Sequence, residues 1–125
     1  MLDLVIRGGW TILPDGPRHA DVGVGGGVIR AIAEPGVLSA GRVVDADGLF
    51  VLPGGIDPHV HVNTRVGAWT TRDDFRTATV PAALGGTTTI LEFAIPRDGE
   101  TAAGAIARRI EEAAGAAVVD HGFHA

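Results

Sequence analysis

The second half of the chain alternates between strand-like and helix-like stretches, and this order constrains the fold more than any other feature. From residue 49 onward the stretches are LFVLPGGID (49–57), DDFRTATVPAALG (73–85), TTTILEFA (87–94), ETAAGAIARRIEEAAG (100–115) and AAVVDHGFHA (116–125). The first, third and fifth are short apolar or β-branched runs, of which 49–57 and 87–94 are predicted to be buried strands. In the fourth, Ile106 and Ile110 recur at helical spacing. The order predicts an α/β fold with a parallel sheet.

This order stops on a strand, which bears on how complete the fold is. Three parallel strands leave an unpaired edge and partly uncovered faces. A (β/α)₈ barrel needs about 250 residues, whereas this chain has 125. We therefore expect the front portion of a longer α/β protein. The alternative is a compact, small α+β domain.

The first fifty residues have a different pattern, of short strands separated by turn signals. LDLVIRGG (2–9) stops at a glycine pair, and ADVGV (20–24) and VIRAIA (28–33) flank three glycines typical of a hairpin. We predict a small antiparallel β unit over residues 1–50, followed by an α/β unit over residues 51–125.

The first helix of the second unit has recognisable start and stop signals. Thr70 with Asp73 and Thr71 with Asp74 form two overlapping capping-box patterns. Gly85 or Gly86 is expected to end the helix. Pro81 lies within it and is expected to kink or shorten it.

Composition excludes several classes of function. The net charge of −5 argues against a nucleic-acid partner. The absence of cysteine excludes disulfides and thiolate metal sites. The amino terminus does not resemble a signal peptide, and no apolar run is long enough to span a membrane. We expect a cytoplasmic location and no membrane partner.

The segment VLPGGIDPHVHVN (51–63) carries the clearest functional signal. His59 and His61 are two of only five histidines, and residues two apart on a strand point the same way. Two neutral imidazoles at a strand's carboxyl end can bind one metal ion, although a catalytic zinc normally has three protein ligands. The competing interpretation is a loop cap and an ordinary surface histidine. Asp57 is either a carboxylate that orients an imidazole or a turn residue ahead of Pro58.

A second group of titratable residues lies near the carboxyl end. Asp120 and His124 share a strand face and His121 points to the other. Polar strand ends are the simpler interpretation of all three, and a metal-ligand role is the alternative.

Charged residues elsewhere are interpreted structurally. Glu92 in an apolar strand either faces a pocket or is buried with a partner. Asp73 and Asp74 are expected to cap the helix. The four residues Arg108, Arg109, Glu111 and Glu112 are predicted to form a solvated helix face.

Several motifs together resemble the hydantoinase/dihydropyrimidinase group of the amidohydrolase superfamily. The pattern Gly-x-Asp-x-His-x-His indicates the superfamily, and the later GGTTTI and GFH narrow it to the cyclic-amide branch. The matching stretches are LVIRGG (4–9), ADVGVGGGVIRAIA (20–33), GLFVLPGGIDPHVHVN (48–63), DDF (73–75), ALGGTTTILEFA (83–94) and DHGFHA (120–125).

The resemblance implies the amino-terminal part of a (β/α)₈ TIM-type hydrolase barrel, preceded by a small β-sandwich segment. It implies that His59 and His61 are ligands in a site with two divalent ions, most often zinc, which polarise a ring carbonyl and activate water. It further implies a small cyclic-amide substrate, a hydantoin or dihydropyrimidine, and a homo-oligomer, usually a tetramer.

Departures from the family pattern limit what this chain can do by itself. The group's bridging carboxylated lysine has no counterpart, because the chain contains no lysine. The second histidine pair, the late aspartate and the substrate-gripping residues are not matched either. Two smaller differences are Pro81 in the first helix and Glu92. At the position of Glu92 an aspartate is usual in the group.

We therefore expect cyclic-amide hydrolysis by a complete protein, with this chain an amino-terminal fragment inactive alone and carrying no catalytic residue beyond its metal ligands. An allantoinase or dihydroorotase is the alternative within the enzymes. A non-catalytic scaffold or assembly remnant is the alternative outside them.

Overall fold

The computed structural model describes residues 1–65 and 67–125, together with the backbone of Val66. The chain divides into two compact units, Met1–Pro53 and Gly54–Ala125. The division therefore falls after Pro53, close to the boundary predicted after residue 50. Within the described residues, no helix combines the length and the apolar character that crossing a bilayer requires.

The first unit is a mixed β-sheet. Its strands are β1 (Leu4–Leu13), β2 (Gly16–Gly25), β3 (Val28–Ala33), β4 (Arg42–Asp45) and β5 (Phe50–Val51). The spatial order is β3-β2-β1-β4, and β5 also pairs with β1. The predicted hairpin is confirmed as β2 and β3, which pair antiparallel. The predicted β-sandwich requires a second sheet packed on this one and stays a prediction.

The expectation of a purely antiparallel unit was wrong, because β4 and β5 both pair with β1 in parallel. Strands joined by tight turns must run antiparallel, but longer connections remove that constraint. Residues 34–41 return the chain from the end of β3 to the start of β1, so β4 runs in the same direction as β1. The sequence between strands does not reveal such a return.

The second unit has the predicted alternation. Its elements are β6 (Gly55–Val60), β7 (Arg65–Val66), β8 (Trp69–Thr70), α1 (Phe75–Leu84), β9 (Thr87–Phe93), α2 (Ala102–Ala113) and β10 (Asp120–His124). The strands β10, β9 and β6 form a parallel sheet in that order, while β7 and β8 form a short hairpin. The predicted order of strand, helix, strand, helix, strand is therefore confirmed.

The buried core of this unit lies between the sheet and its helices. Val62, Phe75 and Ala113 are each almost completely buried and form one cluster, against which Phe123 packs. Phe75 belongs to α1 and Ala113 to α2, so both helices contribute to the same core. This packing fixes the segment that follows β6.

The predicted first strand over 49–57 was wrong in extent and in burial. The stretch is divided between β5 and β6, and β6 is largely exposed. Pro53 lies between the two strands and has no backbone N–H to donate to a ladder. Because β6 is an edge strand of its sheet, its apolar side chains are not covered on both sides. Ile56, for example, is 66% exposed.

Helix α1 is capped by Asp74, one of the two aspartates predicted to cap it, but the capping box differs from both predicted ones. Asp74 is the N-cap, its carboxylate accepts the Thr77 backbone N–H at 2.8 Å, and the Thr77 hydroxyl lies 2.9 Å from the Asp74 N–H. Neither Thr70–Asp73 nor Thr71–Asp74 forms a box, because Thr70 is in β8. Asp73 contributes only its carbonyl, which accepts the Asn63 N–H at 2.8 Å.

The end of α1 agrees with the sequence in part. Gly85 is the C-cap, as one of the two predicted glycines, and the helix continues for three residues beyond Pro81. Proline removes one hydrogen bond from a helix interior. The Pro81 carbonyl still accepts the Gly85 N–H at 2.9 Å, so the last turn is closed.

Gly54 is a position where the fold requires glycine. A Cβ at Gly54 would lie 2.1 Å from the Thr88 Oγ1 and 2.7 Å from the Thr88 Cβ of β9. At the adjacent Gly55, the nearest atom would be at 3.5 Å, an ordinary contact. The close approach at Gly54 helps to set how β6 lies against β9.

We predict that Gly54→Ala destabilises the second unit by about 1–3 kcal/mol, because overpacking must displace Thr88. Gly55→Ala is the matched control and is expected to change stability much less. Chemical denaturation followed by circular dichroism measures both variants. Equal destabilisation by the two substitutions would contradict the prediction.

A pH-dependent ion pair lies at the start of α2. Arg108 donates from Nε to the Glu100 Oε1 at 3.0 Å, and the Arg97 backbone N–H donates to Oε2 at 2.8 Å. The hydrogen bonds from Arg108, and then the one from Arg97, lower the pKa of Glu100 from 4.5 to about 2. Since the folded-state pKa is the lower one, this contribution to stability is present above pH 4.5 and is lost as the pH falls towards 2.

We predict that Glu100→Gln lowers the melting temperature at pH 7 by about 2 °C, because the pair is only partly buried and water still screens it. The difference from wild type should shrink as the pH falls from 4.5 to about 2. Glu111→Gln on the same helix is the control, since the Glu111 carboxylate makes no hydrogen bond within the described residues. Melting curves across this pH range test the prediction, and a constant difference would contradict it.

Candidate metal site

The histidine pair lies at the carboxyl end of the parallel sheet. His59 is near the end of β6 and His61 follows it. Phe93 ends β9 and His124 ends β10. Because all three strands run the same way, these residues meet at the carboxyl end of the sheet, which is where α/β barrels have their sites.

The two imidazoles point the same way, as expected for residues two apart. Their Nε2 atoms lie 3.2 Å apart, and the rings meet edge to face with centroids 5.1 Å apart. Both side chains belong to exposed residues. In the absence of a metal, this distance suits a hydrogen bond from one neutral ring to the other.

The same geometry fits a shared metal ion. Two nitrogen ligands at 2.0–2.1 Å from a tetrahedral ion lie about 3.3 Å apart, close to the 3.2 Å between the two Nε2 atoms. The residues present therefore fit two ligands of one divalent ion. In the described part of the chain, no group of three or more histidine, aspartate or glutamate side chains is placed to bind a metal.

Asp57 binds the backbone of the histidine segment. Its Oδ1 accepts the His59 backbone N–H at 3.1 Å. The register between β6 and β9 shifts between Asp57 and Val60, and Pro58 has no N–H for the ladder. Asp57 thus occupies the turn-like role that the sequence left open. Its role in orienting an imidazole stays a prediction.

An aromatic ring supports both imidazoles. The Phe93 ring centroid lies 4.4 Å from that of His59 and 5.7 Å from that of His61. His124 packs on the same ring at 4.9 Å. Phe93 was not among the predicted site residues, although its position at the end of β9 was the available signal.

The remaining predicted candidates have other surroundings. His121 is exposed, and its Nδ1 lies 3.2 Å from the Val119 carbonyl. The larger cavity near the carboxyl end of the sheet has a volume of about 660 Å³ and is lined by Asn63, Phe93 and several arginines. His61 lines a different cavity, of about 450 Å³. The two exposed histidines therefore do not line the larger cavity, although Phe93, which contacts both of them, does.

Glu92 and Arg109 form a buried ion pair near the carboxyl end of the sheet. Arg109 donates to both carboxylate oxygens of Glu92, from Nε at 3.0 Å and from a terminal nitrogen at 2.8 Å. The Glu92 side chain is fully buried and that of Arg109 is 4% exposed. Of the two possibilities for Glu92, the buried pair is the one observed.

The prediction of a solvated face for residues 108–112 was wrong for Arg109. Arg109 shares a face with Ala105 and Ala113, which are completely buried, so its side chain faces the core. The four-residue spacing to these alanines was the signal. Arg108 and Glu112 lie on the outer side and pair with each other.

Comparison with known proteins identifies relatives over nearly the whole chain, although no protein-family model matches it. The chain is 40% identical over 120 residues to a D-hydantoinase of Geobacillus stearothermophilus, covering 96% of this chain and 26% of that protein. It is 45% identical over 103 residues to the dihydropyrimidinase of Rattus norvegicus, covering 78% of this chain and 20% of that protein.

Solved structures agree. The dihydropyrimidinase from Brevibacillus agri NCHU1002 matches with a TM-score of 0.90 and 41% identity, over 99% of this chain and 27% of that one. The chain thus spans about a quarter of the length of the relatives it matches. The resemblance found in the sequence is confirmed: this chain is a homologue of the hydantoinase/dihydropyrimidinase group.

Proposed function

We propose that this chain contributes the first metal ligands of a divalent-metal-dependent hydrolase that opens a cyclic amide. The observation that carries the proposal is the 3.2 Å separation of the His59 and His61 Nε2 atoms at the carboxyl end of a parallel sheet. The relatives named D-hydantoinase and dihydropyrimidinase supply the substrate class, a hydantoin or dihydropyrimidine ring.

We place the chain's second unit at the start of a (β/α)₈ barrel, with the first unit as part of a β-sandwich. Three parallel strands with their helices support this placement, as does the TM-score of 0.90 against a dihydropyrimidinase. The complete protein would carry two divalent ions, most often zinc, and assemble as a homo-oligomer in the cytoplasm.

In this proposal, each residue at the carboxyl end of the sheet has its own role. His59 and His61 hold one ion through Nε2, and Asp57 fixes the backbone at His59 across the register shift. Phe93 restricts both rings by contact. When bound, the metal supplies Lewis-acid polarisation of the ring carbonyl and activation of water for attack.

The chain alone supplies too few ligands for this chemistry. A catalytic zinc normally takes three ligands from protein, and His59 and His61 provide two. We therefore propose that the isolated chain binds zinc weakly and does not hydrolyse hydantoin. The retained histidine pair favours the enzyme over the scaffold interpretation.

We predict that Zn²⁺ added to the 125-residue chain shifts the imidazole NMR signals of His59 and His61 together. His59→Ala and His61→Ala should each weaken binding by at least about tenfold, since each removes one of two ligands. His121→Ala is the control, because the Nδ1 of this exposed histidine lies against the Val119 carbonyl and not against the histidine pair. Equal weakening by all three variants would contradict the proposed site.

We predict that a chimaera, in which this chain replaces the matching quarter of the Geobacillus stearothermophilus D-hydantoinase, opens hydantoin. His59→Ala in that chimaera should lower kcat by at least about a hundredfold, because metal chemistry depends on the ligand. Circular dichroism and metal content establish that each chimaera is folded and loaded. A folded, metal-loaded chimaera without activity would contradict the proposed function.

A further inference from the structure

The buried pair of Glu92 and Arg109 contacts the segment that follows the histidines. A terminal nitrogen of Arg109 donates to the Val62 carbonyl, the residue directly after His61. The contact joins residues 47 positions apart in the chain. A charge buried on α2 is thus bonded to the backbone at the candidate metal site.

Other bonds converge on the same short segment. The Thr64 hydroxyl is placed to donate to the Val62 carbonyl at 3.0 Å or to the Glu92 Oε1 at 3.3 Å. The Asn63 N–H donates to the Asp73 carbonyl, and the Thr64 N–H donates to the Thr71 hydroxyl at 2.7 Å. Residues 62–64 are therefore held from β9, from α2 and from the residues before α1.

Asn63 shows that this segment has an unusual backbone. Its φ of +45° lies in the left-handed region, which a residue other than glycine occupies at some cost in energy. Such a conformation persists where surrounding bonds determine it. The segment begins with Val62, the residue bonded directly to His61, so whatever holds its backbone also limits how far the backbone at His61 can move.

Arg109 is itself fixed on several sides. The guanidinium carbon lies 4.7 Å from the centroid of the Phe75 ring, and a second terminal nitrogen contacts Glu112. Two bonds to Glu92 complete its surroundings. A planar guanidinium held in this way presents its remaining donor in one direction.

Stability alone does not require charges here. Replacing a buried ion pair by apolar side chains of similar volume is often neutral or stabilising. What an apolar pair cannot supply is the hydrogen bond to the Val62 carbonyl. This bond, together with those of Thr64, separates a positioning role from simple packing.

We propose that the Glu92–Arg109 pair is a positioning device that fixes residues 62–64 and thereby the approach of His61 to His59. The inference rests on the proposed metal site for its functional meaning, although the fixing of the segment can be measured without metal. Both residues are positioning residues, since among the described residues their hydrogen bonds go to each other, to Glu112, to Thr64 and to the Val62 carbonyl, and not to an imidazole.

The double variant Glu92→Met/Arg109→Met tests this in the full 125-residue chain. It removes both charges together, so neither is left buried without a partner, and we expect it to fold. Amide hydrogen exchange should become about tenfold or more faster at Asn63 and Thr64, with exchange at Ile90 in β9 unchanged. The Zn²⁺ dissociation constant should rise about tenfold, as for other residues that hold metal ligands in place.

Arg108→Met is the matched control. Arg108 is adjacent on α2, but its bonds go to Glu100, Glu112 and the Ile95 carbonyl. We expect this variant to leave exchange at Asn63 and Thr64, and the Zn²⁺ affinity, unchanged. The comparison separates the specific bond to Val62 from a general loss of charge on α2.

The outcomes distinguish the two proposals. Unchanged exchange at Asn63 and Thr64 in the folded double variant overturns the positioning role, whether or not zinc binds. Faster exchange with an unchanged Zn²⁺ affinity also overturns it, since the segment then does not control the ligands. If the wild-type chain binds no zinc, the proposed metal site fails, and the exchange rates alone decide whether the pair fixes the segment.

Discussion

The set of hydrogen bonds made by Arg109 is the interaction that joins three separate parts of the second unit. It brings a helix near the end of the chain, a central strand and the segment after the histidines into one hydrogen-bonded group. Within the described residues, six apolar side chains are buried in this unit, and three of them are alanines. A bidentate ion pair supplies direction that such small side chains cannot, because hydrogen bonds fix angles as well as distances.

Three features of the second unit position the histidine pair. The alternation of a strand points both imidazoles to one side, Asp57 supports the backbone where the register shifts, and Phe93 limits how far the rings can turn. The first two belong to β6, and Phe93 belongs to β9. The site is therefore a property of the packed unit, even though its two proposed ligands are only two residues apart.

How much of this was predictable from sequence follows from the range of each interaction. The alternating order, the β2–β3 hairpin and the convergence of His59 and His61 depend on local periodicity and turn chemistry, and all were predicted. The parallel return of β4, the exposure of β6 and the Thr77 partner of Asp74 were not. The first two depend on which strands become neighbours, and the third on which of several overlapping cap patterns the preceding hairpin leaves free. The burial of Arg109 was not predicted either, because the charge of an arginine favours the surface, whereas its four-residue spacing from Ala105 and Ala113 places it on the buried face of α2.

The position of β6 at the edge of its sheet has a consequence for how the site can be completed. One side of β6 pairs with β9, and within the described residues its other side has no partner strand. Neighbouring strands lie about 4.8 Å apart, so a strand added along β6 would bring its own side chains beside His59. Exposed edges recruit strands readily. If His59 is a ligand of the proposed metal site, the strand that pairs with β6 would also be placed to supply a further ligand.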